Sequence, residues 1–288
     1  MMTALSQLAL KHRISQTFTP SAPIDRYALF AGRTEQVEKL MNAVSQKGQH
    51  AILFGERGVG KTSLATVLKE LLVQLDPTGN VPIGSTNCEA TSTFQSIWKA
   101  ILRDMPIILK EVGMGIVPTV HEEEGTFADV SDSINSAEDV RHLFESMKDK
   151  RFVIIIDEID QIKTKGTAKS LADTIKTLSD HVVKATLVLV GVADSVDQLI
   201  AEHASIERAL VQIKMERMSL EELHEIIDKG LKEVGMTAKD EAKKQISKLS
   251  QGLPHYTHLL ALHAAQSAVS ESRMEIGISD VENAISKA

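Results

Sequence analysis

Two clusters of residues carry the plainest chemical potential in this chain. The first is Gly55-Glu56-Arg57-Gly58-Val59-Gly60-Lys61-Thr62, which fits the pattern G-x-x-x-x-G-K-[ST]. Glycines allow successive backbone N–H groups to turn inward around phosphate oxygens, and a helix beginning near Lys61 adds the positive end of its dipole. The stretch from Gly55 to Ser63 is therefore the expected nucleotide cradle. Within it Lys61 would reach the β and γ phosphates and the Thr62 hydroxyl would bind Mg2+. The plain alternative, a glycine-rich turn without a ligand, does not explain why a strand-like run precedes the loop and a helix-like run follows it.

The second cluster is Phe152-Val153-Ile154-Ile155-Ile156-Asp157-Glu158, an unbroken aliphatic strand that ends in two carboxylates. Beside a phosphate-binding loop, Asp157 would hold the Mg2+ shell and Glu158 would orient and deprotonate the attacking water. That pairing suits hydrolysis. Without the loop upstream, the same residues would read as an ordinary acidic strand end. Asp160 reads as a solvated or structural carboxylate. An N-K-x-D guanine motif and an L-S-G-G-Q transporter signature are both missing from the sequence, which favours ATP over GTP.

The elements that must position these groups alternate in type. Helical spacing runs from Thr34 to Ser45, followed by a short apolar run from His50 to Phe54. A helix is predicted from Lys61, stopped by Asp76-Pro77-Thr78-Gly79-Asn80. Val81 to Cys88 reads as a strand, Phe94 to Leu102 as a helix, Arg151 to Ile156 as a strand covered on both faces, Ala168 to Leu178 as a helix and Leu187 to Val192 as a strand. Strands alternating with helices predict a parallel α/β sheet with helices on both faces. After about Met215 only helices follow: one capped by Ser219 with Glu222 three residues on, then Lys239 to Ser250, Pro254 to Ser270 and Ser279 to Lys287. The expected domains are a polar arm over 1–25, an α/β nucleotide-binding domain over 26–215 with an insertion at about 104–135, and a small all-helical lid over 216–288.

With these pieces in place, the chain resembles an AAA+ ATPase, and within that class the origin-initiator-like branch that also includes bacterial transposition regulators. The resemblance runs from Phe30 to the C-terminus and implies a three-layer P-loop core followed by a helical lid. Phe30-Ala31-Gly32-Arg33-Thr34-Glu35 is similar to the family's G-R-x-x-E element, which lines the adenine pocket, and places Phe30 against the base. Asn87-Cys88 resembles the polar end of the second strand, where Asn87 would hold Glu158 in check. Asp194 falls where the family puts a polar first sensor, usually Asn or Thr. An N-cap of a Ser195 to Glu202 helix is the competing reading. Ser205-Ile206-Glu207-Arg208 resembles the segment that gives an arginine finger to a neighbouring subunit, with Arg217 in reserve and a plain surface ion pair as the alternative for Arg208. Gly252-Leu253-Pro254-His255 is similar to the second-sensor turn G-x-P-R with His255 in place of arginine, so that its charge depends on pH. His258 and His263 have no carboxylate or cysteine at ligand spacing and read as packing or surface residues. The implied cofactors are ATP and Mg2+, and the implied partner is another copy of the chain in an ATP-dependent homo-oligomer.

Composition narrows the setting. Among 288 residues, 32 Lys and Arg against 39 Asp and Glu give a formal charge of −7, a field that repels nucleic acid unless a local patch offsets it. One basic stretch exists: Lys163, Lys165, Lys169 and Lys176, which would face duplex DNA in one reading and form a solvated helix face in the other. The lid is expected to close the chain without a further DNA-binding module. The single Cys88 excludes an internal disulfide and any multi-thiolate site. Apolar runs are far shorter than the ~18 to 20 residues of a membrane span, and the Met1 to His12 segment does not resemble an export signal, so a cytoplasmic protein that inserts in no membrane is expected. No aromatic-hydrophobic-glycine pore segment is visible, which disfavours a protein-unfolding motor. Two roles stay open: a DNA-associated oligomeric switch that recruits a partner protein, or a nucleotide-gated signalling or defence regulator that never touches DNA.

Overall fold

The computed structural model describes residues 2–24, 26–112, 120–127, 133–192 and 204–287. In chain order these form α1 (Ala4–Thr17), α2 (Thr34–Ser45), β1 (His50–Phe54), α3 (Lys61–Leu75), β2 (Ile83–Asn87), α4 (Phe94–Asp104), β3 (Pro106–Val112) and β4 (Val120–Thr126). They continue with α5 (Ala137–Glu145), β5 (Phe152–Asp157), α6 (Thr167–Asp180), β6 (Ala185–Gly191), β7 (Leu210–Lys214), α7 (Leu220–Val234), β8 (Thr237–Ala238), α8 (Asp240–Ser250), α9 (Pro254–Ser270), β9 (Glu275–Ile276) and α10 (Ile278–Ile285). Two compact units result, one of residues 36–55 and 71–214, the other of residues 1–35, 56–70 and 215–288.

The first unit is built on a five-stranded sheet in the order β2-β5-β6-β1-β7, parallel throughout. Every residue of β5 and β6 is buried, which is why those strands read as unbroken aliphatic runs rather than alternating ones. Phe54 stands opposite Gly191 and Ile156 opposite Leu189, so β1 and β5 end at nearly the same level on one edge of the sheet. Ligands of parallel sheets bind at that carboxyl edge. On one face the core is aromatic. Phe144 stacks on Phe152 with centroids 4.4 Å apart, and Trp98 and Phe127 meet these rings edge-on at 5.9 and 6.0 Å. The segment read as an insertion contains a hairpin, β3 paired antiparallel with β4 from Pro106↔Thr126 to Val112↔Val120.

The second unit is mainly helical. Ser219 caps α7 by accepting from the Glu222 N–H while the Glu222 carboxylate accepts from the Ser219 N–H, and Gly235 at φ 74° ends the helix. Where the sequence reading expects a polar arm, the structure instead has α1. Its Thr3 cap accepts from Ser6 N–H, and Leu10 and Ile14, with Phe18 just beyond, pack into the core formed by α7 to α10. Leu5 and Leu8 stay exposed, so the apolar spacing of α1 is blurred in the sequence. Gly230 admits the Phe18 ring, since a Cβ there would lie 2.4 Å from Phe18 Cζ. Among the described residues no helix is long and apolar enough to cross a membrane.

Candidate functional site: a glycine loop under a helical lid, and an acidic strand end

The glycine loop is built on backbone angles that favour glycine. Gly55, Gly58 and Gly60 hold φ of 156°, 83° and 94°, and α3 starts at Lys61. A Cβ on Gly58 or Gly60 would meet Leu253 or Pro254 at 3.7 and 3.8 Å, ordinary contact distances, so the need for glycine there is one of backbone angle rather than room within the protein. Gly58, Gly60, Lys61, Thr62 and Ser63 line a cavity of about 250 Å³ together with the segment 19–24 and with Pro254, His255 and His258 of α9. The structure thus brings His255 to the same cavity as Lys61 and Thr62. His255 is exposed, and its ring lies 4.2 Å from that of Tyr256.

Two side chains, Lys61 and Arg217, tie the loop down. Lys61 Nζ donates to the Glu56 carbonyl at 2.9 Å. Arg217 grips the Glu56 carboxylate in bidentate fashion at 2.6 and 3.0 Å. Its Nη1 also reaches the Gln251 carbonyl at 3.1 Å, in the turn before Pro254. These Arg217 hydrogen bonds hold the Glu56 carboxyl below the usual carboxylate range. Arg57 is exposed and Val59 fully buried.

A second, smaller and mostly apolar pocket adjoins the first, sharing Ile24, Gly60, Ser63, Pro254 and His258 with it. Phe30 lines it, with Leu29, Val59, Met215, Met218 and Ile226. Arg33 enters from a left-handed pair, Gly32 and Arg33 at φ 61° and 62°. Glu222 and Glu225 accept from the backbone N–H groups of Arg33 and Gly32 at 3.2 and 2.8 Å, and a Cβ on Gly32 would collide with Glu222 at 2.6 Å. The Arg33 guanidinium is buried, donates to the carbonyls of Val59 and Glu216, and has its pKa lowered by desolvation.

The acidic strand end belongs to the sheet. Asp157 is buried, and its Oδ1 accepts from the Glu158 N–H at 2.7 Å, which fixes the carboxylate. Glu158 is exposed and sits in the left-handed region at φ 57°, a conformation that costs a non-glycine residue roughly 1 kcal/mol and is common at sites of chemistry. Asn87 is exposed and pairs with Asp157 in the β2–β5 ladder, which puts it one position from Glu158 across the sheet. Cys88 donates its N–H to the Asp157 carbonyl at 2.8 Å. Its thiol is pushed up to about 12, first by burial and then by the Asp157, Glu158 and Asp160 charges, so it is unreactive.

The remaining expectations separate. Arg208 is 81 % exposed and 3.6 Å from Asp180. Asp194 lies outside the described residues. Lys163, Lys165, Lys169 and Lys176 are exposed on and just before α6. No cluster of three or more His, Cys, Asp or Glu suited to a metal occurs among the described residues. The Thr62 hydroxyl lines the cavity over the glycine loop in one unit, and the Asp157 carboxylate ends β5 in the other. Arg217, the reserve arginine finger of the sequence reading, and His258, expected to be a packing or surface residue, both lie beside the glycine-loop cavity. The available signals were Arg217 two residues before the Ser219 cap and His258 one helical turn past Pro254.

The fold and the loop define a P-loop NTPase with the AAA+ architecture of origin initiators. Residues 23–273 match the model of the family described as nSTAND1, Novel STAND NTPase 1, and the chain belongs to that family. No curated protein matches it. Similar solved structures include the Aeropyrum pernix ORC2 protein in ADPNP–ADP complexes, with TM-score 0.65 and 13 % identity over 94 % of this chain and 71 % of that one. The Aeropyrum pernix ORC1 protein in complex with DNA gives TM-score 0.62 and 17 % identity over 94 % and 68 %. The Thermotoga maritima RuvB Holliday junction branch migration motor gives TM-score 0.54 and 18 % identity over 90 % and 70 %. At these identities the likeness is one of fold.

Proposed function

We propose that this protein binds ATP with Mg2+ and hydrolyses it as a nucleotide-dependent switch. The observation that carries the reading is the glycine loop, whose left-handed glycines open onto a cavity that also holds Lys61, Thr62 and His255. Inward-facing amides and the N-terminus of α3 neutralise triphosphate oxygens there. Lys61 exchanges the Glu56 carbonyl for the β and γ phosphates. Phe30 and the apolar pocket take the base. Thr62 and Asp157 are the residues that would hold Mg2+, which would supply charge neutralisation for the transferred group. Glu158 holds the attacking water and accepts its proton, and Asn87 restrains Glu158 until then. Arg208 reaches a neighbouring copy of the chain in an oligomer.

Mg2+-dependent phosphate release from ATP by the purified protein tests this directly, and no release above the no-enzyme rate would contradict hydrolysis. The initiator and branch-migration relatives, with exposed Lys163, Lys165 and Lys169, support association with duplex DNA and a recruited partner. The charge of −7 supports the second reading, a signalling or defence regulator acting on a protein effector. The slope of log affinity for duplex DNA against log salt decides between them, since a slope near zero removes the DNA reading.

A further inference from the structure

Among the described residues lining the apolar pocket, two have a buried side-chain nitrogen without a hydrogen-bond partner, Arg33 at Nε and His258 at Nδ1, and of these only His258 can accept. It sits on α9 one turn after Pro254 and is only 7 % exposed. Its ring meets Phe18 edge-on at 5.8 Å, and it lines both the apolar pocket and the cavity over the glycine loop. Its Nδ1 is buried without any hydrogen-bond partner. A buried ring nitrogen left unpaired costs free energy in the protein alone, and a ligand that pairs it recovers that cost. Ser63, by contrast, already accepts from the Ile24 N–H at 3.2 Å, and Arg33 already donates to two carbonyls.

Burial drives the His258 pKa down to about 4, so the ring is neutral at physiological pH, and in the tautomer protonated at Nε2 its Nδ1 is an acceptor. A neutral acceptor suits a donor such as a base amino group and not phosphate oxygens, which only accept. Adenine carries an exocyclic amino group, whereas hypoxanthine and guanine carry a carbonyl oxygen at the same ring position.

We propose that His258 Nδ1 is the base-reading group of this NTPase, accepting a hydrogen bond from the adenine amino group and thereby rejecting 6-oxopurine nucleotides. The inference rests on the apolar pocket taking the base, as set out above. A 6-oxo group would bring its lone pairs against those of Nδ1 and leave both unpaired, and a site built to accept from a substrate discriminates well against an analogue that cannot donate.

The test is equilibrium binding of ATP, ITP and inorganic tripolyphosphate to the wild type, His258→Leu and His258→Asn. The wild type should prefer ATP to ITP by about tenfold or more, the worth of one buried hydrogen bond. His258→Leu should lose that preference by weakening ATP. His258→Asn, which can place an amide oxygen near the Nδ1 position, should keep most of it. Tripolyphosphate affinity should be the same in all three, a result that a general disturbance of the fold would not give. A wild type that binds ATP and ITP equally, or an unchanged ATP-to-ITP ratio in His258→Leu, overturns the proposal. Should His258→Leu fail to fold, the wild-type ratio and His258→Asn still decide. Tripolyphosphate binding without any ATP binding would overturn the base-pocket reading itself, and binding of neither ligand would overturn the nucleotide reading with it.

Discussion

The two candidate clusters, one in each compact unit, are made in opposite ways. The acidic half is local: Asp157 and Glu158 adjoin on one buried strand, and Asn87 joins them through a single ladder position. The phosphate half is assembled from distant chain segments, with the loop at 55–62, Phe30 and Arg33 upstream, and Arg217, Pro254 and His258 downstream. A site carried by one strand is fixed once its sheet forms. A cradle whose roof comes from a helical lid depends on side chains that bridge segments, and such contacts can respond to what the cradle holds.

Breaking the acidic half should affect chemistry alone. Glu158→Gln is expected to lower kcat by ~10² to 10⁴, the usual worth of a general base, with ATP affinity kept. A parallel loss of affinity would show that Glu158 also shapes the binding site. Forcing the phosphate half should affect binding and stability together. Gly60→Ala places a Cβ at φ 94° and should cost about 1 to 2 kcal/mol in denaturant unfolding as well as nucleotide affinity.

Each unit also contains a buried histidine, which yields a matched pH experiment. His50 on β1 accepts from the Leu187 N–H at 2.9 Å and is driven by burial down to about 3, while His258 is driven down to about 4. The unfolded chain takes up protons at the ordinary histidine pKa while the folded one does not, so stability is full above about 6.5 and falls as pH drops towards 4. From pH 7 to pH 5 each histidine should cost about 2 kcal/mol. Unfolding curves at the two pH values check this, and His258→Asn should remove its share of the slope while leaving that of His50. The smallest effect belongs to Arg217→Ala. The Glu56 pair is about half exposed and screened by solvent, so stability should hardly change, and a change confined to nucleotide affinity would mark the pair as a bridge between loop and lid.

The same contrast decides what was legible in the sequence. Thr34–Ser45, His50–Phe54 and the start of α3 at Lys61 were readable to the residue, because a capped or glycine-bounded element with one clear period has few alternatives. The β3–β4 hairpin was not, since Gly113, Gly115, Pro118 and three glutamates obscure any alternation. Nor was α1, whose exposed Leu5 and Leu8 mask a face that exists only against the α7–α10 core. Spacing identified the glycine loop and the two carboxylates because their chemistry lies in consecutive residues. Arg217 and His258 gain their meaning only when folding brings residues 56 and 217, or 60 and 258, together, and no local pattern records that. The resemblance to AAA+ initiators carried the fold because the lid turn at Gly252-Leu253-Pro254 and the G-R element at Gly32-Arg33 bracket the chain.

The central claim is that the loop from Gly55 to Thr62 clasps a triphosphate with Lys61 as its cation. Calorimetric titration of ATP into the wild type and Lys61→Ala, in the presence of Mg2+, addresses it most directly. The account predicts saturable binding of one ATP per chain by the wild type and at least a hundredfold weaker binding by the variant, the loss of more than ~2.7 kcal/mol of interaction. Equal affinity in the two proteins would contradict it.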